Sequence, residues 1–440
     1  MEIQATLPGK GRDLRLDLLR GLANWMIFLN HMPENVVNWI TTRNYGFSDG
    51  ADLFVFISGY TAAFVYAKLM VNHGFIVGAT RLFKRVWQLY VAHIVLFVIY
   101  IATIGFVAQR FSNTAIIHQF NIAGLVDSPL QTLWQGLLLK FKPLNLDVLP
   151  LYIVLMALFP PVLWMMLRQP DLVMITSLML YFAARQFGWN LPAYPAGVWY
   201  FNPFAWQMMF VFGSWCALGG IRGARSVIFR SPVLLYVAIA YLLFALSMTM
   251  AGRLPEFGNL FPRWLFDAFN PNDKTNLAPY RFLHFAVIVY LVTRFMPKDW
   301  SGLQWRIFSP VIKCGQQSLA VFCVGIFLSF IGYIVLILSR DSLLIQIIVS
   351  AAGIAVMTAV AYYVSWSKKQ DKLPREVTAP PGHLCELRKS PTSSLRSPCN
   401  RIDSPTRGMR FAAPGDVRLW PIASVRCDAA LPSFSDQSGH

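Results

Sequence analysis

The chain has 440 residues, of which 56% are hydrophobic and only 13% are charged. Soluble domains carry roughly a quarter charged residues, so this composition predicts an all-α integral membrane protein and excludes an ordinary soluble enzyme. The formal net charge of +17 would suit a nucleic-acid partner in a soluble chain, but here the basic residues lie between apolar stretches, as in loops that face an anionic membrane leaflet. We therefore expect membrane lipid as a partner and no nucleic acid.

Ten hydrophobic stretches each approach the ~20 residues that a bilayer-spanning helix needs. These predicted spans are residues 15–32, 51–71, 86–107, 148–167, 171–187, 204–220, 233–251, 280–296, 315–338 and 342–366. Lys and Arg are concentrated in the loops on the side of the N-terminus, which predicts that both termini are cytoplasmic.

The longer loops, at about 33–50, 108–147, 188–203 and 252–279, are then predicted on the outer side. Their Trp and Tyr rings suit the aromatic belt at a membrane interface, and they are also of the kind that stacks on sugars.

Three segments differ in composition. Residues 1–13 form a polar cytoplasmic leader, residues 14–366 form the predicted transmembrane domain, and residues 367–440 are rich in Pro, Ser and Arg without any hydrophobic period. This pattern predicts a disordered basic tail, which is either a functional segment or the product of translation past a lost stop or frame. The six cysteines form no C-x-x-C pair, so we expect no metal site.

The first span carries two ionisable residues, Arg20 and His31. Eleven helical positions at ~100° each bring both side chains to one face, ~16 Å apart along the axis. An ionisable group in hydrocarbon costs at least ~2–3 kcal/mol unless it faces protein or water. The pair therefore either lines a polar interior or marks the two ends of an anchoring helix, and spacing alone favours neither interpretation.

Asp52 opens the second span and is followed by Ser58, Gly59 and Tyr60. An acid in the first turn of a helix is favoured by the helix dipole, so Asp52 is either a cap or an acid that orients His31. The Ser58-Gly59 pair would let another helix pack closely.

Further candidates are found near both ends of the predicted helices. Arg81, Lys84 and Arg85 precede the third span and form either a positive-inside anchor or a seat for clustered phosphates. Arg281 and His284 are three residues apart on one helix face, where they either bind a substrate or mark an interfacial helix end. The same two interpretations hold for Gln316 and Ser318.

Three of these segments resemble signatures of the acyltransferase-3 superfamily of membrane proteins. The Arg20–His31 spacing matches R-x10-H, and Gly50–Tyr60 resembles G-x-D-x-F-F-x-x-S-G-F, with Tyr60 in place of the final Phe. Arg85–Tyr90 resembles R-x-x-P-x-Y, with Gln88 in place of Pro.

A closer resemblance, over roughly residues 12–366, is to the OpgC family. It is carried by the stretches Arg12–Gly21, Arg43–Asp49, Asp147–Ile153, Phe201–Gln207, Lys274–His284 and Cys314–Cys323. The resemblance implies an O-acyltransferase of the bacterial inner membrane. It would move an acyl group, expected to be succinyl, from cytoplasmic acyl-CoA to a hydroxyl of a periplasmic glucan, with acyl-CoA as a donor substrate and no bound cofactor.

Acyl transfer to a hydroxyl needs a base, stabilisation of an oxyanion and a seat for the donor. On this hypothesis His31 is the general base or an acyl relay, and Arg20 holds the donor or polarises its carbonyl. Asp52 supports His31, while Arg81, Lys84 and Arg85 hold the CoA phosphates. The acceptor-binding or structural candidates are Ser58, Tyr60, Arg281, His284, Gln316 and Ser318.

Two alternatives remain. One is an O-acetyltransferase that acts on another envelope polysaccharide. The other is a transporter or flippase, in which the charged face of the first helix lines a route; transporters commonly contain internal repeats, and none is visible in this sequence.

Overall fold

The computed structural model describes Ala5 and residues 11–110, 117, 120–220, 225–339 and 342–371. Over these residues the chain is helical and contains no strand, apart from an isolated antiparallel bridge between Pro192 and Val198. The all-α prediction is confirmed for this part of the chain. The predicted leader lies mostly outside the described residues, and so does the predicted tail beyond residue 371.

Helices of eight or more residues are labelled in chain order. They are α1 Leu14–Asn30, α2 Gly50–Arg110, α3 Pro129–Leu137, α4 Val148–Arg168, α5 Pro170–Phe187, α6 Pro203–Ala217, α7 Pro232–Arg253, α8 Pro279–Phe295, α9 Ser309–Gln316, α10 Ser318–Leu338 and α11 Leu343–Gln370. Shorter α-helices are Ala123–Asp127, Arg225–Arg230, Pro255–Gly258 and Arg263–Phe269, and the 3-10 turns are Val36–Ile40, Thr42–Asn44, Ser301–Gln304 and Arg306–Phe308. Because α11 continues to Gln370, residues 367–370 are helical and the predicted start of the tail was too early.

Local sequence signals begin and interrupt several of these helices. The Asp13 side chain accepts the Arg15 N–H at the start of α1, and Asn202 caps α6 in the same way through Phe204. Proline occupies the first turn of α5, α6, α7 and α8, where its missing N–H has no helical partner to lose. Gly74 interrupts α2 with a φ of 84°, a conformation that glycine adopts without a Cβ clash.

Five helices of the described residues are long and apolar enough to cross a membrane, which marks the chain as a membrane protein. They are α2, α4, α7, α10 and α11. The 61-residue α2 contains two of the predicted spans, 51–71 and 86–107, on either side of Gly74. Other predicted spans are helical but shorter, since α1 and α8 have 17 residues and α6 has 15. Ten spans and two cytoplasmic termini therefore stay predictions.

Two helix crossings bring backbones into direct contact through glycine. At the crossing of α2 and α6, a Cβ on Gly59 would overlap the Phe210 carbonyl oxygen, and a Cβ on Gly213 would overlap that of Phe56. Ser214 Oγ donates to the Gly59 carbonyl oxygen at 3.0 Å across the same contact. The close packing expected at Ser58-Gly59 is thus found, and its partner is α6.

The crossing of α1 and α9 is built in the same way. A Cβ on Gly21 would overlap the Val311 carbonyl oxygen, and a Cβ on Gly315 would overlap that of Asp17. These two crossings fix the positions of α1 and of the first half of α2. The two elements carry the Arg20–His31 spacing and the Gly50–Tyr60 segment.

We predict that Gly59→Ala lowers the free energy of unfolding by ~1–3 kcal/mol, because the added methyl group must displace the α6 backbone. Gly105→Ala is the matched control, since Gly105 lies on the same helix with open space around its Cβ position. Thermal unfolding in detergent measures both variants. Equal melting temperatures for the two variants would contradict the close crossing.

Candidate active site

A cavity of about 880 Å³ lies where the long loops converge. Its lining residues belong to segments 30–49, 121–148, 193–201 and 249–281, which coincide largely with the four loops predicted on the outer side. We call it the outer cavity. His31, Asp49 and Lys274 line it, and so does Arg281.

The start of α2 forms one wall of this cavity and is closed by a reciprocal cap. The Ala51 N–H donates to Asp49 Oδ1 at 2.8 Å, and the Asp49 N–H donates to Asp52 Oδ2 at 2.8 Å. This arrangement is a capping box, which satisfies two backbone donors that the helix itself leaves free. The contact of the Asp52 carboxylate with the Asp49 N–H therefore agrees with the interpretation of Asp52 as a helix cap.

Asp52 also takes part in a buried ionic cluster with a distant helix. Arg281 on α8 donates through Nε to Asp52 Oδ1 at 3.0 Å, and its Nη2 contacts Asp52 Oδ2 and, at 3.1 Å, Asp49 Oδ2. Lys274 Nζ donates to Asp49 Oδ2 at 2.6 Å. We call Asp49, Asp52, Lys274 and Arg281 the ionic cluster.

The charges of the cluster balance. Asp52 is fully buried, and the Arg281 side chain is only 3% exposed. Burial raises the pKa of the Asp49 carboxyl, but Lys274 and Arg281 outweigh this effect and hold that pKa well below its ordinary value. Two carboxylates face two cations, so the protein interior holds no net charge at this point, as buried ions require.

His31 lies in the outer cavity but not beside the acid expected to orient it. Its backbone N–H ends α1 by donating to the Ile27 and Phe28 carbonyl oxygens, and its imidazole Nδ1 is buried without a hydrogen-bond partner in the described part of the chain. The expected Asp52–His31 contact was wrong, because both carboxylate oxygens of Asp52 bind Arg281.

Arg281 and His284 share one face of α8, as predicted, and both are buried. His284 Nδ1 lies 2.8 Å from Ser48 Oγ, and it also accepts the Ser48 N–H at 3.3 Å. A Cβ on Gly46 would overlap the His284 ring. His284 therefore fastens the 46–49 loop, while Arg281 anchors the cluster that faces the cavity.

A second, smaller cavity of about 170 Å³ lies around Arg20 and Arg85. Arg20 Nη2 donates to Thr61 Oγ1 at 2.9 Å, and the predicted candidates Ser58 and Ser318 line the same space. We call this space the inner pocket. The structure thus brings together Arg20, Arg85 and these two serines, whereas His31 belongs to the other cavity.

The remaining predicted residues lie outside both cavities. Arg81 and Lys84 are exposed on α2, within the turn that precedes Arg85. Tyr60 is half-buried with its ring 6.4 Å from that of Phe56, and Gln316 is half-buried at the end of α9.

Asn24 is a residue that the sequence analysis missed. It lies on the Arg20–His31 face of α1, is 1% exposed, and donates through Nδ2 to Ser318 Oγ at 3.2 Å. Its Oδ1 is buried without a partner among the described residues. The available signal was an amide four residues after Arg20 within an otherwise apolar stretch.

A sequence model of the family described as OpgC protein matches residues 12–369. The chain belongs to the OpgC family. Membership points to a transferase role in glucan modification. No curated protein and no solved structure matches the chain. All four residues of the ionic cluster lie within the part that matches the OpgC model.

We predict that Arg281→Met costs ~3–5 kcal/mol of stability, because it leaves two buried carboxylates facing one cation. Arg185→Met is the control, since Arg185 pairs with Asp273 at 3.2 Å while both side chains are about one-third exposed, and such pairs contribute ~1 kcal/mol or less. Melting temperatures in detergent compare the variants. Similar losses of melting temperature in the two variants would contradict the prediction that the ionic cluster stabilises the fold more than the exposed Arg185–Asp273 pair.

Asp147 gives a prediction on pH. Burial raises its pKa to about 6, against the opposing charges of Lys142 and Lys274. The unfolded value is ~3.9, so the folded state holds the proton more tightly and this group makes stability fall as pH rises from ~4 to ~6. Asp147→Asn removes that contribution.

The melting temperature of Asp147→Asn relative to the unsubstituted chain should therefore increase across this window and level off above it. Asp127→Asn, at an exposed position, controls for the loss of a carboxylate. A difference for Asp147→Asn that does not change with pH would contradict the raised pKa.

Proposed function

We propose that this OpgC-family chain is a membrane-embedded O-acyltransferase that moves a succinyl group from cytoplasmic acyl-CoA to a hydroxyl of a periplasmic glucan. The observation that carries the proposal is the pair of polar cavities along one face of α1. Arg20 and Arg85 line the inner pocket, and His31 lines the outer cavity.

The inner pocket suits the reactive end of the donor. A pocket of about 170 Å³ is well below the ~300–1,000 Å³ of typical sites for drug-sized ligands, so it can take the thioester end but not the nucleotide. The exposed Arg81 and Lys84 adjoin Arg85 and would hold the CoA phosphates outside the pocket, where clustered cations bind phosphate well.

The outer cavity suits the acceptor. Its volume of about 880 Å³ lies within the ~300–1,000 Å³ range and can take a few sugar units. Tyr194 and Tyr200 are among its lining residues and have rings of the kind on which sugars stack. The charged floor formed by Asp49, Lys274 and Arg281 supplies hydrogen-bonding groups for hydroxyls.

Asn24 lies between the two cavities along α1, which suggests the route of the acyl group. Arg20 and His31 are ~16 Å apart along the helix, a distance suited to the extended pantetheine arm of CoA. The Asn24 amide and the Ser318 hydroxyl would offer polar contacts to the thioester on this route.

The transfer itself needs one base. The acceptor hydroxyl would donate its proton to His31 while its oxygen attacks the thioester carbonyl carbon. Collapse of the tetrahedral intermediate breaks the C–S bond, and the departing thiolate takes the proton back from the imidazolium, which leaves an ester and free CoA. Lys274, which lines the outer cavity together with His31, would favour the oxyanion. Asp52 acts in this scheme as a positioning residue through Arg281.

We predict that His31→Gln lowers the rate of CoA release from succinyl-CoA in the presence of glucan by ~10²–10⁴-fold, the usual contribution of a general base. The variant should remain as abundant and as stable as the unsubstituted chain. His73→Gln, at an exposed position on α2, is the control and should retain activity.

Mass spectrometry of the glucan identifies the transferred group. Absence of CoA release from the unsubstituted chain would reject the enzyme and favour a transporter. Release from acetyl-CoA but not from succinyl-CoA would reject the succinyl donor.

A further inference from the structure

The outer cavity carries an excess of positive charge beyond the ionic cluster, whose own charges balance. Four additional cations line it, namely Arg43, Lys140, Lys142 and Arg253, against one additional carboxylate, that of Asp147. In the described part of the chain none of these four makes an ion pair within 4.0 Å. A cleft lined by one sign of charge concentrates ligands of the opposite sign.

Lys142 is the buried member of this group. Lys142 is only 7% exposed, and its Nζ lies 3.7 Å from the centre of the Trp199 ring. Among the described residues, the one hydrogen bond that Nζ makes is to the Leu139 carbonyl oxygen, and it is long at 3.4 Å. Burial lowers the Lys142 pKa to about 8, although the charge of Asp147 opposes this effect. A buried ammonium group with so few partners is suited to receive an anion.

Arg43 and Arg253 form a second basic feature on the rim. They come from the Thr42–Asn44 turn and from the end of α7, two elements that contact each other. Their positive charges repel, and in the part of the chain that the structure describes the Arg43 guanidinium donates to the Asn30 carbonyl oxygen at a long 3.5 Å. Two guanidinium groups that line the same cavity from contacting elements, without an ion-pair carboxylate in the described residues, can both donate to a phosphate or carboxylate.

We propose that the outer cavity recognises an acceptor that already carries anionic substituents, such as phosphate or carboxylate groups, rather than a neutral sugar chain. Lys142 receives one such group inside the cavity, and Arg43 with Arg253 receives another at the rim. The identity of the acceptor as a glycan rests on the proposed function, but the anion site itself does not.

An anionic acyl donor is the competing source of the same chemistry. The carboxylate of a succinyl group is a single charge on a four-carbon chain. The unpaired cations belong to three separate segments around a cavity of about 880 Å³. Several charges distributed along an extended ligand match this arrangement, and a single terminal carboxylate does not.

Binding measurements on the full chain in lipid nanodiscs test the inference without any donor. The two probes are a β-linked glucose oligosaccharide and the same oligosaccharide carrying phosphate monoesters. The phosphorylated probe should bind at least 10-fold more tightly at low salt, and this preference should shrink as salt screens the charges.

Lys142→Met, and separately the double variant Arg43→Gln with Arg253→Gln, should each reduce the preference at least 5-fold. Lys142→Arg, which keeps the charge, should retain most of it. Arg263→Gln removes an exposed cation that does not line the cavity and should leave the preference unchanged.

Equal affinities for the two probes, or no binding of either, would overturn the inference. So would variants that weaken both probes equally. A turnover arm compares succinyl-CoA with acetyl-CoA, and an effect of the variants that follows the charge of the donor would assign the cations to the acyl group instead. Turnover on neutral glucan, with no binding preference for the phosphorylated probe, would reject the anion site and leave the proposed function intact. Charge-dependent binding without any turnover would support the anion site and reject the proposed function.

Discussion

The balance of the four charges in the ionic cluster is the constraint on which the rest of the structure depends. Asp49 and Asp52 lie at the start of α2, whereas Arg281 lies 229 residues after Asp52 on α8. Ions that leave water are tolerated only when their partners and hydrogen bonds compensate for lost hydration. This requirement ties the loop before α2 to the loop before α8, and the surface that results is the floor of the outer cavity. The same contacts therefore stabilise the fold and form the candidate site.

A second constraint fixes the turns of α2 that follow the ionic cluster along the chain. About two helical turns after Asp52, the backbone at Gly59 touches α6, while the Phe56 ring packs against Phe285 of α8 with ring centres 5.2 Å apart. The first turns of α2 are thus fixed from two sides. Rigid support of this kind lets a site hold its charges in place before a ligand arrives, which is the condition for electrostatic catalysis and for selective binding.

The sequence was informative wherever a local period or spacing determined the outcome. It predicted the helical class, the common face of Arg281 and His284, and the close packing at Ser58-Gly59. It failed at Asp52, because an acid in a first turn looks the same whether it caps a helix, pairs with a distant arginine or does both. The partner that decides between these possibilities lies 229 residues away, and no periodic pattern reports contacts of that range.

A similar reason explains why Arg20 and His31 line two different cavities, although a single polar interior was one of the two interpretations of their spacing. The helix geometry of α1 sets both side chains on one face, but the side chains that fill the space between them come partly from other helices. Phe54 of α2, for example, lines the inner pocket and packs on Phe322 of α10 with ring centres 5.3 Å apart. Which distant residues fill such a space depends on tertiary packing, which the spacing within α1 does not encode.

The separation of the cavities also bears on how an acyltransferase could work across a membrane. A continuous water-filled channel between a basic inner pocket and an outer cavity would let ions pass, whereas Ile27 and Phe28 are at most 5% exposed and make this part of α1 well packed. Near the middle of α1, Asn24 and Ser318 form a polar contact among the described residues. A succinyl thioester brings one carboxylate to this depth, and an ion that leaves water needs a compensating partner. On the proposed function, the packed middle of α1 would keep the two compartments separate, and the succinyl group could pass it only with its charge compensated.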